Sequence, residues 1–200
     1  MQDKKLVIYA LSFIEGSVPN RAECRRLVEQ TLRGHLPSSK KPKLIFDSYG
    51  KPTLKNFEHI AFSYAHSQTQ LVIAVHPSAH AVGVDTEPLS RLEDLYELRD
   101  IAFSAAEGKD LSGNGYVLAW CRKEAAVKQL GKGFRDANPS DVIVKTSNQS
   151  YTLCVGNDEV QKGYHFDIIL GSDVVVICTD KPVNDFLLFR CDLKDIRIKE

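Results

Sequence analysis

Residues 115–131 read GYVLAWCRKEAAVKQLG, and this stretch decides the class of fold that we expect. From Tyr116 to Leu130 it contains neither glycine nor proline, and Gly131 follows directly. An uninterrupted run of this length that a glycine ends is typical of an α-helix. The stretch therefore predicts a long helix in the second half of the chain.

One face of this helix carries Trp120, Glu124 and Lys128, which follow one another at intervals of four residues. Residues spaced in this way form a slowly drifting stripe on a helix. Taken alone, Glu124 and Lys128 fit an ordinary surface ion pair worth a few tenths of a kcal/mol. On the helix alone, this surface pair is the favoured interpretation. The alternative is that the stripe presents a carboxylate and an ammonium to a ligand.

Runs rich in valine, isoleucine, leucine and phenylalanine lie on both sides of the helical part and predict strands. Before it they fall at 5–13, 43–48, 59–65, 70–76 and 80–86; from about 141 they are DVIVK, YTLCV, YHFDIIL, DVVVICT and DFLLFRCDL. A further helix is predicted between the first two runs, with Asn20 as its N-cap and Gly34 as its stop. Each half is thus a helix with an antiparallel meander, which predicts an α+β pair of related subdomains. We place them at 1–82 and 83–200.

Composition excludes several classes of protein. Lys plus Arg and Asp plus Glu are both 26, so the formal net charge is zero, unlike that of a non-specific nucleic-acid binder. No signal peptide is recognisable, and no apolar run approaches the length of a membrane span. The five cysteines are scattered without a C-x-x-C pair, which favours buried thiols in a reducing compartment. We expect a cytoplasmic protein.

Two carboxylates stand at the end of the predicted strand in AVGVDTEP, residues 81–88. Asp85 and Glu87 are two residues apart, so on an extended chain their side chains point to the same face. Such a pair suits Mg²⁺, with water and phosphate oxygens completing the coordination. An acidic strand end before the turn-forming Pro88 is the plainer alternative.

A lysine and a histidine precede these carboxylates. Lys51 stands in the Gly50-Lys51-Pro52 turn, and His66 ends a strand before a short Ser-Gln-Thr turn. A solvated turn lysine and a capped strand-end histidine are the simplest interpretations of each residue alone.

Together these segments resemble the Sfp-type (surfactin-synthetase-type) 4′-phosphopantetheinyl transferases. The family motifs correspond to Gly50-Lys51-Pro52, Phe62 to Ser67, Gly83 to Glu87, Phe103-Ser104 with Glu107 and Leu111, and Trp120 to Gly133. The combination of the G-V-D-x-E strand with the W-x-x-K-E-A-x-x-K-x-x-G-x-G helix is highly specific. The match covers about residues 50–134.

The resemblance implies a pseudo-twofold pair of subdomains, each a helix packed on a small antiparallel sheet, with coenzyme A in the crevice between them. Asp85, Glu87 and Glu124 match the family's metal ligands for Mg²⁺, with Mn²⁺ as the alternative. Lys128 matches a lysine on the coenzyme A phosphates, and Asp85 also belongs to the coenzyme A site. Lys51 and His66 match residues that hold the nucleotide, including its 3′-phosphate.

The reaction that the resemblance implies is attack by a carrier-protein serine on the pyrophosphate of coenzyme A, with release of 3′,5′-ADP. Glu124 and Lys128 are the expected catalytic residues: Lys128 neutralises charge, and the proton acceptor is Glu124 or a metal-bound water near it. The expected partner is an apo acyl or peptidyl carrier protein of fatty-acid, polyketide or nonribosomal-peptide synthesis. We expect a monomer without nucleic-acid or membrane partners.

Several positions depart from the family motifs. Ser63 replaces an asparagine and Ala65 a hydroxyl residue, and the basic residues of the N-terminal part have no assignable counterparts. We expect Glu107 to form a capping box with Ser104 rather than to act directly in catalysis.

Two rival functions were weighed. A Nudix-type hydrolase is disfavoured because Val127 and Lys128 stand where its adjacent glutamates are needed and Gly115 where an upstream one is. A degenerate module that only binds coenzyme A or a carrier is disfavoured because the acidic residues and Lys128 are intact.

Overall fold

The computed structural model describes residues 5–14, 17–37, 39–77 and 79–195. The helices are α1 Arg21–Leu32, α2 Leu92–Glu97, α3 Arg99–Ala102, α4 Ala105–Asp110 and α5 Gly115–Leu130. The strands are β1 Leu6–Ser12, β2 Leu44–Phe46, β3 Pro52–Leu54, β4 Ala61–His66, β5 Gln70–His76, β6 Val82–Pro88, β7 Val142–Ser147, β8 Ser150–Val155, β9 Asp158–Leu170, β10 Asp173–Thr179 and β11 Phe186–Asp192. The predicted α+β class is confirmed.

The two large sheets pack face to face between two helices. The first sheet has the order β11-β1-β5-β4 and the second the order β6-β10-β9-β8-β7. Strand alternation sends one face of each sheet to the shared layer and the other to a helix. On β10, for example, Val175 and Ile177 point to the shared layer, while Val174 and Val176 point to α5.

The first helix, α1, covers the outer face of the first sheet. Leu27, Val28 and Leu32 pack there with residues of β1 and β5. The predicted N-cap is confirmed: Asn20 accepts hydrogen bonds from the backbone of Ala22 and Glu23, and the Glu23 carboxylate accepts one from the Asn20 backbone. The helix ends at Leu32 in a 3₁₀ turn over Arg33–His35 and not at Gly34.

The last strand departs from the predicted division of the chain. Residues 83–200 were placed in the C-terminal subdomain, yet β11 pairs in parallel with β1, Leu6 opposite Phe186. The first sheet is therefore mixed rather than antiparallel. The physical reason is that β5 pairs with only one edge of β1. The backbone N–H and C=O groups along the other edge of β1 pair with β11 instead. The boundary at 82/83 otherwise stays a prediction.

All five cysteines are free thiols, and four of them are buried. No helix in the described part of the chain is long and apolar enough to cross a membrane.

Candidate active site

The site begins with a close approach of β6 to α5 at Gly83. A Cβ atom built on Gly83 would lie 1.9 Å from the Ala125 carbonyl oxygen and 2.4 Å from the Gln129 backbone nitrogen. Both neighbours are helix backbone, which cannot move aside as a side chain can. Only glycine lets the strand touch the helix here. This contact brings the first half of β6 against the last two turns of α5.

Asp85 and Lys128 meet directly across this contact. The Lys128 ammonium donates a hydrogen bond of 2.6 Å to Asp85 Oδ1, and it lies 3.9 Å from Glu124 Oε2. Asp85 is buried, at 5% exposure, whereas the Lys128 side chain keeps 32%. The second carboxylate oxygen, Asp85 Oδ2, is buried without a hydrogen-bond partner in the described residues. Three of the predicted site residues therefore lie together: the cation Lys128 and the carboxylates Asp85 and Glu124.

Glu87 belongs to the same acidic group. It forms an ion pair with Arg91, which lies four residues further along the chain. Burial raises the pKa of Glu87 to about 7, with a further contribution from Asp85, while Arg91 opposes the shift. The carboxylate therefore lies in an environment that already holds negative charge.

The Lys128 and Glu124 side chains each affect the pKa of the other. Burial raises the pKa of Glu124; the Lys128 ammonium opposes this rise, and Asp85 adds to it. Burial alone would lower the pKa of Lys128, but Asp85 and Glu124 outweigh it, and the pKa is raised. Lys128 is thus held as a cation against the carboxylates.

The donor chemistry of this group fits a hard divalent cation. Carboxylate oxygens are the ligands that Mg²⁺ prefers, and Asp85 Oδ2 has no hydrogen-bond partner among the described residues. Within the described ranges, however, no three His, Cys, Asp or Glu side chains are arranged to hold a metal ion. Instead, Lys128 forms an ion pair with Asp85, and Arg91 forms one with Glu87.

A cavity of about 500 Å³ opens beside Lys128. It lies between β4 of the first sheet and the C-terminal end of α5. Its lining residues are Arg21, Cys24, Phe46, Tyr49, Gly50, Lys51, Pro52, Phe62, Ser63, Tyr64, His66, Lys128, Gly131 and Gly133. Basic and aromatic side chains of this kind suit a planar, phosphorylated ligand.

Lys51 lines this cavity but has a partner of its own. Its ammonium donates a 2.7 Å hydrogen bond to the carbonyl oxygen of Gln129, at the C-terminal end of α5. Burial lowers its pKa, while Asp47 and Asp180 oppose the shift. A cation at a helix C-terminus also interacts favourably with the helix dipole. Lys51 therefore joins the 47–51 turn to the helix.

His66 stands between two cavities. It lines the cavity already described and a second one of about 620 Å³, which Glu87 and Arg91 also line. Its Nδ1 atom is 3.4 Å from the Ser67 carbonyl oxygen, so this contact constrains the ring only weakly.

Ser63, which departs from the family motif, ties the first sheet to the second. Its hydroxyl accepts a 3.2 Å hydrogen bond from the backbone nitrogen of Val84. Ala65 is buried in the layer between the sheets. Among the unassigned basic residues, Arg21 lines the cavity and Arg25 lies 4.3 Å above the Phe46 ring.

The predicted capping box of α4 is confirmed. Ser104 Oγ accepts from the Glu107 backbone, and Glu107 Oε2 accepts from the Ser104 backbone at 2.9 Å. The same oxygen accepts a 2.9 Å hydrogen bond from Lys123, a lysine with 1% exposure. Sequence reasoning missed this buried lysine, since the letters K-E on a helix look like an exposed pair.

Sequence reasoning also missed the ion pair of Arg91 with Glu87 and the close approach of two backbones at Gly83. The Arg91 partner of Glu87 could have been found from the i,i+4 spacing across Pro88. The tight clearance at Gly83 has a weaker signal: a lone glycine within a β-branched strand indicates a close approach of another backbone.

Comparison with known proteins points to one family. Residues 81–179, just under half of the chain, match the family model of the 4′-phosphopantetheinyl transferase superfamily. Among solved structures, the chain is similar to the crystal structure of Thermotoga maritima holo-[acyl-carrier-protein] synthase, at 18% identity and a TM-score of 0.39. That similarity covers 50% of this chain and 61% of the other. No curated protein matches the chain.

Proposed function

We propose that the protein transfers the 4′-phosphopantetheine arm of coenzyme A to a serine hydroxyl of an apo carrier protein, releasing 3′,5′-ADP. The observation that carries this proposal is the contact between Lys128 and Asp85 at the mouth of a 500 Å³ cavity. The family match supports it, because residues 81–179 include β6, α5 and both members of this pair.

Each residue of the site has a role in this proposal. Lys128, fixed by Asp85, places a positive charge where the pyrophosphate of coenzyme A enters from the cavity. Phosphoryl transfer depends on charge neutralisation and in-line positioning, which a fixed cation supplies. Glu124 lies beside Lys128, and the proton of the attacking serine passes to Glu124 or to a water molecule near it.

The proposal includes a divalent cation, Mg²⁺ or alternatively Mn²⁺. Asp85, Glu87 and Glu124 would hold it, since all three are oxygen donors and Asp85 Oδ2 has no other partner among the described residues. When bound, the cation supplies Lewis-acid charge on the pyrophosphate oxygens.

The nucleotide part of coenzyme A would occupy the cavity. His66 and Lys51 both line it, and both side chains have nitrogen atoms that can donate hydrogen bonds to phosphate. Charge-assisted hydrogen bonds to phosphate are roughly twice as strong as neutral ones. Lys51 would keep its bond to Gln129 O and use its other two protons for the ligand.

We propose the Sfp type within the superfamily, because one chain supplies both walls of the site: His66 from the first sheet and Lys128 from α5. The proposal includes a monomer in the cytoplasm that serves an acyl or peptidyl carrier protein. Its subdomains divide at 82/83, except that β11 belongs to the first sheet.

Mass spectrometry of an apo carrier protein, incubated with coenzyme A and Mg²⁺, tests the activity. Transfer adds about 340 Da to the carrier, the mass of the arm. Release of phosphopantetheine without a carrier would instead indicate a hydrolase. Binding of coenzyme A without either product would indicate a binding module, and both results would refute the proposal.

A second assay tests the nucleotide site with 3′-dephospho-coenzyme A. His66→Ala should raise the KM for coenzyme A more than it lowers kcat, and it should discriminate less against the dephosphorylated substrate than the wild type does. Equal discrimination by both proteins would exclude His66 as the residue that reads the 3′-phosphate.

A further inference from the structure

A second buried carboxylate, Asp173, lies behind the candidate site at the start of β10. Its exposure is 0%, and no lysine, arginine or histidine of the described part of the chain forms an ion pair with it. Instead, its carboxylate oxygens accept hydrogen bonds from side-chain hydroxyl groups. A carboxyl group buried in this way needs hydrogen-bonding partners around it.

Two of those hydroxyl groups come from the turn that follows His66. Ser67 Oγ donates to Asp173 Oδ2 at 2.5 Å, and Thr69 Oγ1 donates to the same oxygen at 2.8 Å. Ser67 Oγ in turn accepts from the backbone of Thr69 and Gln70, at 3.0 and 3.2 Å. The turn is therefore organised around one hydroxyl, which is itself bound to Asp173.

The other neighbours of Asp173 belong to the second sheet. Ser172 Oγ donates to Oδ1 at 3.1 Å, and Thr86 Oγ1 lies 3.5 Å from Oδ2. Thr86 stands between Asp85 and Glu87 on β6, with its side chain on the opposite face of the strand. In the sheet ladder, Asp173 is paired with Pro88, the residue after Glu87.

We infer that Asp173 is a positioning residue, which fixes the turn carrying His66 relative to the strand carrying Asp85 and Glu87. The two parts come from different sheets, and their side chains line the same cavity of about 620 Å³. Contacts to a single buried acceptor hold the two walls at a fixed separation. This inference rests on the proposed function for its catalytic meaning, but not for its geometry.

The hydroxyl groups also explain why Ser67 ends the His66 motif. Alanine at this position would remove the bond to Asp173 and the acceptor for two backbone amides. Threonine at 69 has the same kind of role. Neither residue needs to touch a ligand for its substitution to displace His66.

Asp173→Asn tests the inference, because asparagine keeps the shape and replaces one acceptor oxygen with a donor that faces hydroxyl groups. Asp167→Asn is the matched control. Asp167 is a half-buried acid of the second sheet that accepts from Arg122 at 2.6 and 3.1 Å and contacts His165, without a contact to the His66 turn. Both variants are compared at a temperature where both are fully folded.

Two readouts are recorded: the ring resonances of His66 by NMR and the affinity for coenzyme A by calorimetry. We expect Asp173→Asn to shift the His66 resonances and to weaken coenzyme A binding at least tenfold, and Asp167→Asn to do neither. Equal behaviour of the two variants would overturn the inference. If the wild type bound no coenzyme A, the proposed function would fail, and the His66 resonances would still decide the role of Asp173.

Thr69→Val provides the test if Asp173→Asn does not fold. Valine is nearly isosteric and removes one of the hydroxyl donors. The expected result is a smaller shift of the His66 resonances in the same experiment. Unchanged resonances in a folded Thr69→Val protein would contradict the inference.

Discussion

Helix α5 carries two lysines, five residues apart, in very different surroundings. Lys123 is 1% exposed, and its ammonium donates to Glu107 and to the carbonyl oxygens of Ala102 and Pro139 at 2.9 to 3.0 Å. Lys128 is 32% exposed and makes one short bond, to an aspartate whose other oxygen has no partner in the described residues.

The difference distinguishes a completed polar cluster from an incomplete one. All three ammonium protons of Lys123 have acceptors, so nothing further can bind there. Around Lys128, an unpartnered oxygen and an adjacent cavity leave capacity for a ligand. On the same helix, the first cluster is expected to stabilise the fold and the second to act on a substrate.

Loss of Asp85 should have the largest effect on activity. Asp85→Ala removes both the anchor of Lys128 and the unpartnered oxygen, so we expect transfer to slow about a thousandfold, roughly 4 kcal/mol of barrier. Thermal stability should change little, since a poorly satisfied buried group is removed. Steady-state kinetics at saturating Mg²⁺ measure this. Asp100→Ala, at an acid with 86% side-chain exposure, is the control. Near-wild-type kcat in Asp85→Ala would refute the site.

Lys123→Met should lower stability instead. Methionine keeps the apolar stem but leaves Glu107 without its cation and two carbonyl groups without the donor they share, which costs about 3 kcal/mol. For a chain of this size we expect Tm to fall by roughly 6 to 12 °C. Calorimetry measures the shift. Lys162→Met, in an exposed pair with Glu159, is the matched control and should leave Tm nearly unchanged. Equal Tm shifts in both variants would contradict the completed cluster.

Lys128→Met is the same substitution in the group that Lys128 forms with Asp85 and Glu124. Turnover should fall more than tenfold, about 1.4 kcal/mol or more. The Tm shift should be well below that of Lys123→Met, because water reaches the half-exposed site. Kinetics and melting curves of the two methionine variants are compared at one temperature. If Lys128→Met lost stability but kept its turnover, the two lysines would have the same structural role.

Ser104→Ala should have the smallest effect and tests how far the Lys123 cluster extends. Loss of the N-cap hydroxyl costs about 1 kcal/mol. Because Ser104 and Lys123 share Glu107 Oε2, their effects should not add in the double variant. Asn20→Ala, which breaks the equivalent capping box of α1, is the control and should add to Lys123→Met. Urea denaturation gives both values; additivity in the Ser104 pair would exclude the coupling.

Sequence patterns predicted the local elements well. The extent of α5, the Asn20 N-cap, the Ser104 capping box and most strands follow from periodicity and caps, which depend on neighbours within a few residues. The short strand β3 escaped because Pro52 to Leu54 is too brief to show an alternation.

What the patterns could not give were contacts between distant residues. Asp85 and Lys128 are 43 positions apart, and only the close approach at Gly83 brings them together. The parallel pairing of β1 with β11 and the Asp173 network have the same origin. The burial of Lys123 was hidden because an ammonium satisfied by backbone carbonyls leaves no trace in the sequence pattern.

The parallel pairing of β1 with β11 has a consequence for synthesis of the chain on the ribosome. Residues 6–12 are made early, yet one edge of this strand has to wait for residues 186–192. At 5 to 20 residues per second, that interval is roughly 10 to 40 s. During it, a strand of apolar residues has free backbone donors and acceptors to which another nascent chain could pair. The first sheet is therefore expected to stay incomplete until β11 has been made, and a nascent chain that still lacks β11 is expected to be a client for chaperones.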